Sequence, residues 1–129
     1  MCIRDRFYEV IVFIEKLKKE NIKTGIITTK GKIFAGKILE KLNIFPELIF
    51  GYESGTKVEI ISELSRQYEI MGFIEDRINT LHDIKQNPLT NNIPCYLADW
   101  GYLKKTDRNN LPYKIKLLKL KDLEQLVAI

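Results

Sequence analysis

At 129 residues, with 45% apolar and 29% charged side chains, the chain is one domain's worth of ordinary globular sequence, long enough for a real core. No apolar stretch approaches the ~18 residues that a membrane helix needs, and no basic-then-apolar secretory pattern is found; a cytoplasmic protein without a membrane partner is expected. The net charge of +4 comes from lysines scattered along the chain. A nucleic-acid face would cluster them and interleave aromatics, so that partner is not expected either.

The predicted elements alternate. Val10, Phe13, Ile14 and Leu17 fall at the i, i+3, i+4, i+7 spacing of an amphipathic helix that ends in the cation-rich "KLKKEN". "IKTGIITT", Ile22 to Thr29, is short and β-branched, as a strand covered on both faces would be. Ala35, Ile38, Leu39 and Leu42 mark a second helix, and "ELIFGY", Glu47 to Tyr52, a second strand. A third helix runs from Lys57 to about Tyr68, burying Val58, Ile61 and Leu64. "IMGFIED" is the next strand, Ile78, Leu81 and Ile84 the helix after it, and "PCYLADW", Pro94 to Trp100, another strand. Polar, turn-rich "LKKTDRNNLP", Leu103 to Pro112, is the expected flexible stretch; "IKLLKL" then gives a last strand before a final helix from Lys121 to about Val127.

Strands alternating with helices imply βαβ units, hence a mainly parallel sheet with helices on both faces: an α/β, Rossmann-like three-layer sandwich. The two cysteines, Cys2 and Cys95, lack metal-ligand spacing, and Cys95 reads as a buried, inert thiol.

Ligands of such sheets bind beyond the carboxyl ends of the strands, and three of those ends carry unusual residues. Thr28 and Thr29 close the first strand, where a hydroxyl and the free N–H groups of a helix start can hold a phosphate oxygen; the plainer reading is that Thr29 caps the helix. Lys57 opens the third helix, where the helix dipole prefers anions, so its ammonium either reaches an anion above the sheet or is simply solvated. Glu75 and Asp76 are adjacent acids at the end of "GFIED". Like charges side by side are unfavourable unless a cation or hydrogen-bond donors offset them. Asp76 suits a magnesium ligand, with Glu75 acting through water; alternatively Asp76 caps the next helix and Glu75 pairs with Arg77.

The ordered set "GIITTK", "GTKVEIISEL" and "GFIEDRINTL" resembles the second, third and fourth motifs of the haloacid dehalogenase-like (HAD-like) hydrolase superfamily. "EDR" and the later Trp100–Gly101–Tyr102 are similar to the plant and cyanobacterial members. The resemblance runs from about Phe7 to nearly the end of the chain. It implies a Mg²⁺-dependent phosphohydrolase acting on a phosphate monoester or related small phosphorylated substrate. Thr28 (with Thr29) and Lys57 would bind the phosphoryl group, Lys57 would neutralise developing charge, and Asp76 would bind Mg²⁺ assisted by Glu75. The common fourth motif places a second acid four positions after the aspartate, where this chain has Thr80.

The family's first motif, D-x-D after an apolar strand, has no counterpart among these residues. "MCIRDR" reads as a translated sequencing-adapter string, so residues 1–6 are expected to be a non-native leader, residues 7–129 a partial core domain, and the native chain to extend upstream. Without the nucleophile strand, the "GIITT" and "GFIED" strands are expected either to leave a gap or to close on each other, and the chain is expected to be inactive and poorly soluble. The order threonine, lysine, acid pair differs from that of a response-regulator receiver, and no G-x-G-x-x-G follows a strand. The remaining alternative is a non-catalytic binding or regulatory domain on a degenerate fold of this type, with Trp100, Tyr102 and the lysine-rich tail as its surface. His82, the only histidine, reads as solvated.

Overall fold

Four α-helices and five β-strands alternate through the described part of the chain: α1 Ile3–Lys19, β1 Gly25–Ile27, α2 Lys32–Lys41, β2 Leu48–Phe50, α3 Lys57–Gln67, β3 Phe73–Glu75, α4 Ile78–Gln86, β4 Cys95–Ala98 and β5 Ile115–Leu118. This is a computed structural model, and it describes residues 3–100, 107, 111, 112 and 114–126. Gly101, Tyr102 and most of the expected flexible stretch Leu103 to Pro112 lie outside the described residues. The helical backbone begins at Ile3, ahead of the apolar periodicity. The final helix, predicted from Lys121 to about Val127, is a 3₁₀ helix over Leu120–Leu126.

Every strand pairing is parallel, as the alternation of strands and helices requires. The strands form two sheets rather than one: a pair, β1–β2, and a triplet, β3–β4–β5. In the first, Gly25, Ile26 and Ile27 stand opposite Leu48, Ile49 and Phe50. In the second, Phe73 to Glu75 stand opposite Cys95 to Leu97, and Cys95 to Ala98 opposite Ile115 to Leu118. Among the described residues β1 therefore pairs with β2 alone, and β3 with β4 alone.

The chain divides correspondingly into two compact units, residues 1–56 with 121–129, and residues 57–120. In the first, the apolar faces predicted for α1 and α2 bury Ile14 and Ala35, while Val10, Phe13, Leu17, Ile38, Leu39 and Leu42 are half-buried. Asn21 and Asn43, with φ of 59° and 58°, follow the ends of α1 and α2. Asparagine tolerates this left-handed conformation better than most residues, which is how both helices stop.

The second unit holds most of the buried side chains. Leu81 and Ile84 of α4 and Leu97 of β4 are fully buried, and Ile60, Ile61, Ile93, Cys95, Ala98, Ile115 and Leu118 are nearly so. α3 turns Ile60 and Ile61 inward, while Val58 and Leu64 stay half-buried. The loop from α4 to β4 is held from within. Thr90 is completely buried and its Oγ1 donates to the Ile84 carbonyl at 2.6 Å, while Lys85 Nζ donates to the Ile93 carbonyl at 2.5 Å. Buried hydroxyls and ammonium groups need such partners, and here they fix the entry into β4.

Cys95 is a buried free thiol, and its Sγ donates to the Ile93 carbonyl at 3.4 Å. Burial raises its pKa above the ordinary 9.0, with the nearby Lys85 charge acting in the opposite direction. A neutral thiol is favoured in the fold, so its contribution to stability is full below the unfolded pKa and lost as pH rises through the folded value. Native-state alkylation of Cys95 at pH 8, followed by peptide mass spectrometry, is expected to be ~10²-fold slower than in denaturant, and Cys95→Ala should flatten the loss of stability above pH ~9. Equal labelling rates in both states would contradict the burial of this thiol. Among the described residues, no helix is long and apolar enough to cross a membrane.

Candidate functional site

The acid pair ends β3, as its position after an apolar run predicts. Glu75 is the last strand residue and its side chain is buried, with 7% of its surface exposed. The cation that offsets it is Lys57, from the first turn of α3: Lys57 Nζ donates to Glu75 Oε2 at 2.5 Å, with 21% of the lysine side chain exposed. The other carboxylate oxygen, Oε1, accepts the Asp76 backbone N–H at 3.1 Å. One carboxylate thus joins the lysine and the second acid.

This arrangement answers which residue pairs with Glu75. Glu75 pairs with Lys57, eighteen positions away, and not with its neighbour Arg77, which is exposed. Lys57 is unfavourable at a helix start by the dipole argument alone, but its ammonium is turned to a buried carboxylate. The approach to α3 depends on Gly55, whose φ of 113° few other residues adopt. Arg77 holds the N-cap position of α4 and makes no side-chain cap hydrogen bond. Asp76 is half-buried and Thr80, at the place of the common second acid, lies in the first turn of α4.

Thr28 and Thr29 belong to the other unit, directly after β1. Thr28 stays with the sheet through its N–H, which donates to the Phe50 carbonyl at 2.9 Å, and its Oγ1 accepts the Lys30 N–H at 3.1 Å. Thr29 is exposed and does not cap α2; the N-cap position is Gly31, with no side-chain cap hydrogen bond. The donor at the start of α2 is met from elsewhere, since Lys32 N–H donates to Glu53 Oε1 at 3.0 Å. Sequence reasoning missed Glu53, and nothing in "GYESGT" signals that this acid folds back over the preceding loop.

The residues predicted to form a site therefore divide. Lys57, Glu75 and Asp76 meet at one strand end, and Thr28 and Thr29 form the turn into α2 in the first unit. Comparison with protein-family models, with curated proteins and with solved structures gave no significant match.

Among the described residues no group of three or more His, Cys, Asp or Glu side chains could hold a metal ion. A magnesium ion needs less from protein: one or two carboxylates, with waters and substrate oxygens completing its shell. Asp76, half-buried directly after the strand end, is the carboxylate expected from the sequence in the role of direct donor. Glu75, with both oxygens already accepting hydrogen bonds, fits that of an orienting group. His82 is exposed, and Gln86 Nε2 lies 3.5 Å from its Nε2. Trp100 is half-buried.

Proposed function

We propose that this chain carries the phosphate-binding and metal-binding parts of a Mg²⁺-dependent phosphohydrolase of the HAD-like type, for a phosphate monoester or related small phosphorylated substrate. The observation that carries the reading is the Glu75 carboxylate at the end of β3, bonded on one side to Lys57 and on the other to the Asp76 N–H. The carboxylate holds the lysine at the strand end, where in this reading the other ammonium donors would meet a phosphoryl oxygen.

In this reading Asp76 would hold Mg²⁺, which supplies charge neutralisation at the phosphoryl oxygens. Glu75 fixes the Lys57 ammonium so that its remaining donors face the phosphoryl group. Thr28, with the N–H groups beyond it, holds a phosphate oxygen. In the family this reading follows, the nucleophile is the D-x-D aspartate, carried on a further strand. Covalent phosphoryl transfer needs an aspartate on that strand. No D-x-D occurs in these 129 residues, so this chain by itself is expected not to turn over p-nitrophenyl phosphate.

The alternative, a non-catalytic binding or regulatory domain on a degenerate HAD-like fold, draws on the missing D-x-D and on exposed apolar residues such as Ile33, Phe45 and Met71. Both readings are separated by calorimetric titration of inorganic phosphate with and without Mg²⁺. Binding is expected to need Mg²⁺ and to weaken about tenfold or more in Lys57→Gln, which can keep a hydrogen bond to Glu75 but loses the charge. Binding indifferent to both Mg²⁺ and the substitution would overturn the phosphohydrolase reading and leave the alternative.

A further inference from the structure

The first unit holds an open cavity of about 410 Å³ between α1 and the turn that follows α2, lined by none of the residues proposed for phosphate or metal. Its size falls within the range of small-molecule sites. Ile11 and Ile14 line it from α1, Ile44 and Phe45 from the turn. Asn43, also at its wall, has the left-handed φ of 58° beyond the end of α2, and the next two residues then face α1 across the cavity. Ile14 and Ile44 are nearly buried, but Phe45 is 55% exposed. A large apolar side chain left in water beside an apolar cavity is unfavourable in proportion to its exposed area, and a ligand filling the cavity would cover it.

Two opposite charges complete the lining. Glu15 and Lys18 stand three positions apart on α1, about 4.5 Å along its axis. At that spacing carboxylates and ammonium groups on a helix commonly pair, yet neither side chain is in an ion pair among the described residues. An apolar floor edged by one unpaired anion and one unpaired cation complements a small zwitterion with an apolar tail. A fatty acid would meet Lys18 but be opposed by Glu15, and a neutral apolar molecule would use neither charge.

We infer that this cavity binds a free amino acid with an apolar side chain. Its ammonium group sits at Glu15, its carboxylate at Lys18, and its side chain among Ile11, Ile14, Ile44 and Phe45. The charges lie at a solvated rim, where each ion pair contributes little, so affinity is modest, with a Kd of about 1 mM. This site is separate from the proposed phosphoryl site and does not depend on that reading.

L-Leucine titrated into the ¹⁵N-labelled full chain tests the inference, following the amides of Ile14, Lys18, Ile44 and Phe45. They are expected to shift saturably, with a Kd of about 1 mM. N-acetyl-L-leucine, which lacks the ammonium charge, should bind wild type about threefold more weakly. Glu15→Gln should weaken leucine by about the same factor and remove the difference between the two ligands. Lys18→Gln and leucinamide should do the same for the carboxylate. No saturable shift at about twenty times the expected Kd would overturn the site. Equal binding of leucine and N-acetyl-L-leucine to wild type would overturn recognition of a zwitterion. Shifts at these amides that follow protein concentration without leucine would overturn the amino acid in favour of a second copy of the chain.

Discussion

Lys57→Ala is expected to destabilise the second unit by about 3 kcal/mol, because it strands a buried carboxylate. Glu75 has 7% of its side chain exposed, and without Lys57 its carboxylate keeps the hydrogen bond from the Asp76 N–H. Removing one member of a buried ion pair leaves the other's desolvation uncompensated, which outweighs the loss of the attraction itself. The partial exposure of Lys57, 21%, places the effect at the low end of the usual range for buried pairs. Glu75→Gln should be milder, since the lysine can turn to water. Replacing both at once, Lys57→Met with Glu75→Leu, should restore much of the loss, because no charge is then left buried. Urea denaturation followed at amides of β3 and β4 measures all three. A Lys57→Ala protein within about 0.5 kcal/mol of wild type would show that the pair is a surface contact of little consequence.

The order of elements was legible because each carries a local pattern. The apolar spacing of α4 placed Leu81 and Ile84, and both are fully buried. The α3 start at Lys57 was read correctly, and a strand lies within each of "IKTGIITT", "ELIFGY", "IMGFIED" and "PCYLADW". Strand ends were read too long. "IKTGIITT" is eight residues of suitable composition, yet only Gly25–Ile27 pair, because a ladder extends only as far as its partner and β2 is itself three residues long. Periodicity reports which residues suit a strand, not how many find a neighbour.

The candidate site was legible in parts. Two adjacent carboxylates at a strand end signalled a need for compensation, and a lysine against the helix dipole signalled an external anion. Their answer to each other, a contact across eighteen positions, belongs to tertiary packing and leaves no local trace. Glu53 shows the same limit more sharply. It is one acid in a polar turn, and its role at the start of α2 depends on the absent Cβ of Gly51. The 3₁₀ form of Leu120–Leu126 likewise does not follow from its apolar and charged residues, which suit an α-helix.

The largest functional effect is expected at Asp76, whose carboxylate is the direct metal donor in the proposed site. Glu75, already engaged by Lys57 and the Asp76 N–H, is assigned the orienting role beside it. Asp76→Asn retains the size and the backbone N–H, so the Glu75–Lys57 pair should survive and the fold with it. Loss of metal affinity should be at least tenfold, since even groups that merely orient a ligand account for about ten- to a hundredfold. Paramagnetic Mn²⁺ in place of Mg²⁺ reads this without any need for turnover. Added to ¹⁵N-labelled protein, Mn²⁺ is predicted to broaden the Glu75, Asp76 and Arg77 amides first, excess Mg²⁺ to reverse the effect, and Asp76→Asn to abolish it. Broadening spread over unrelated acidic residues, or unchanged in Asp76→Asn, would contradict a metal-assisted phosphoryl site at the end of β3.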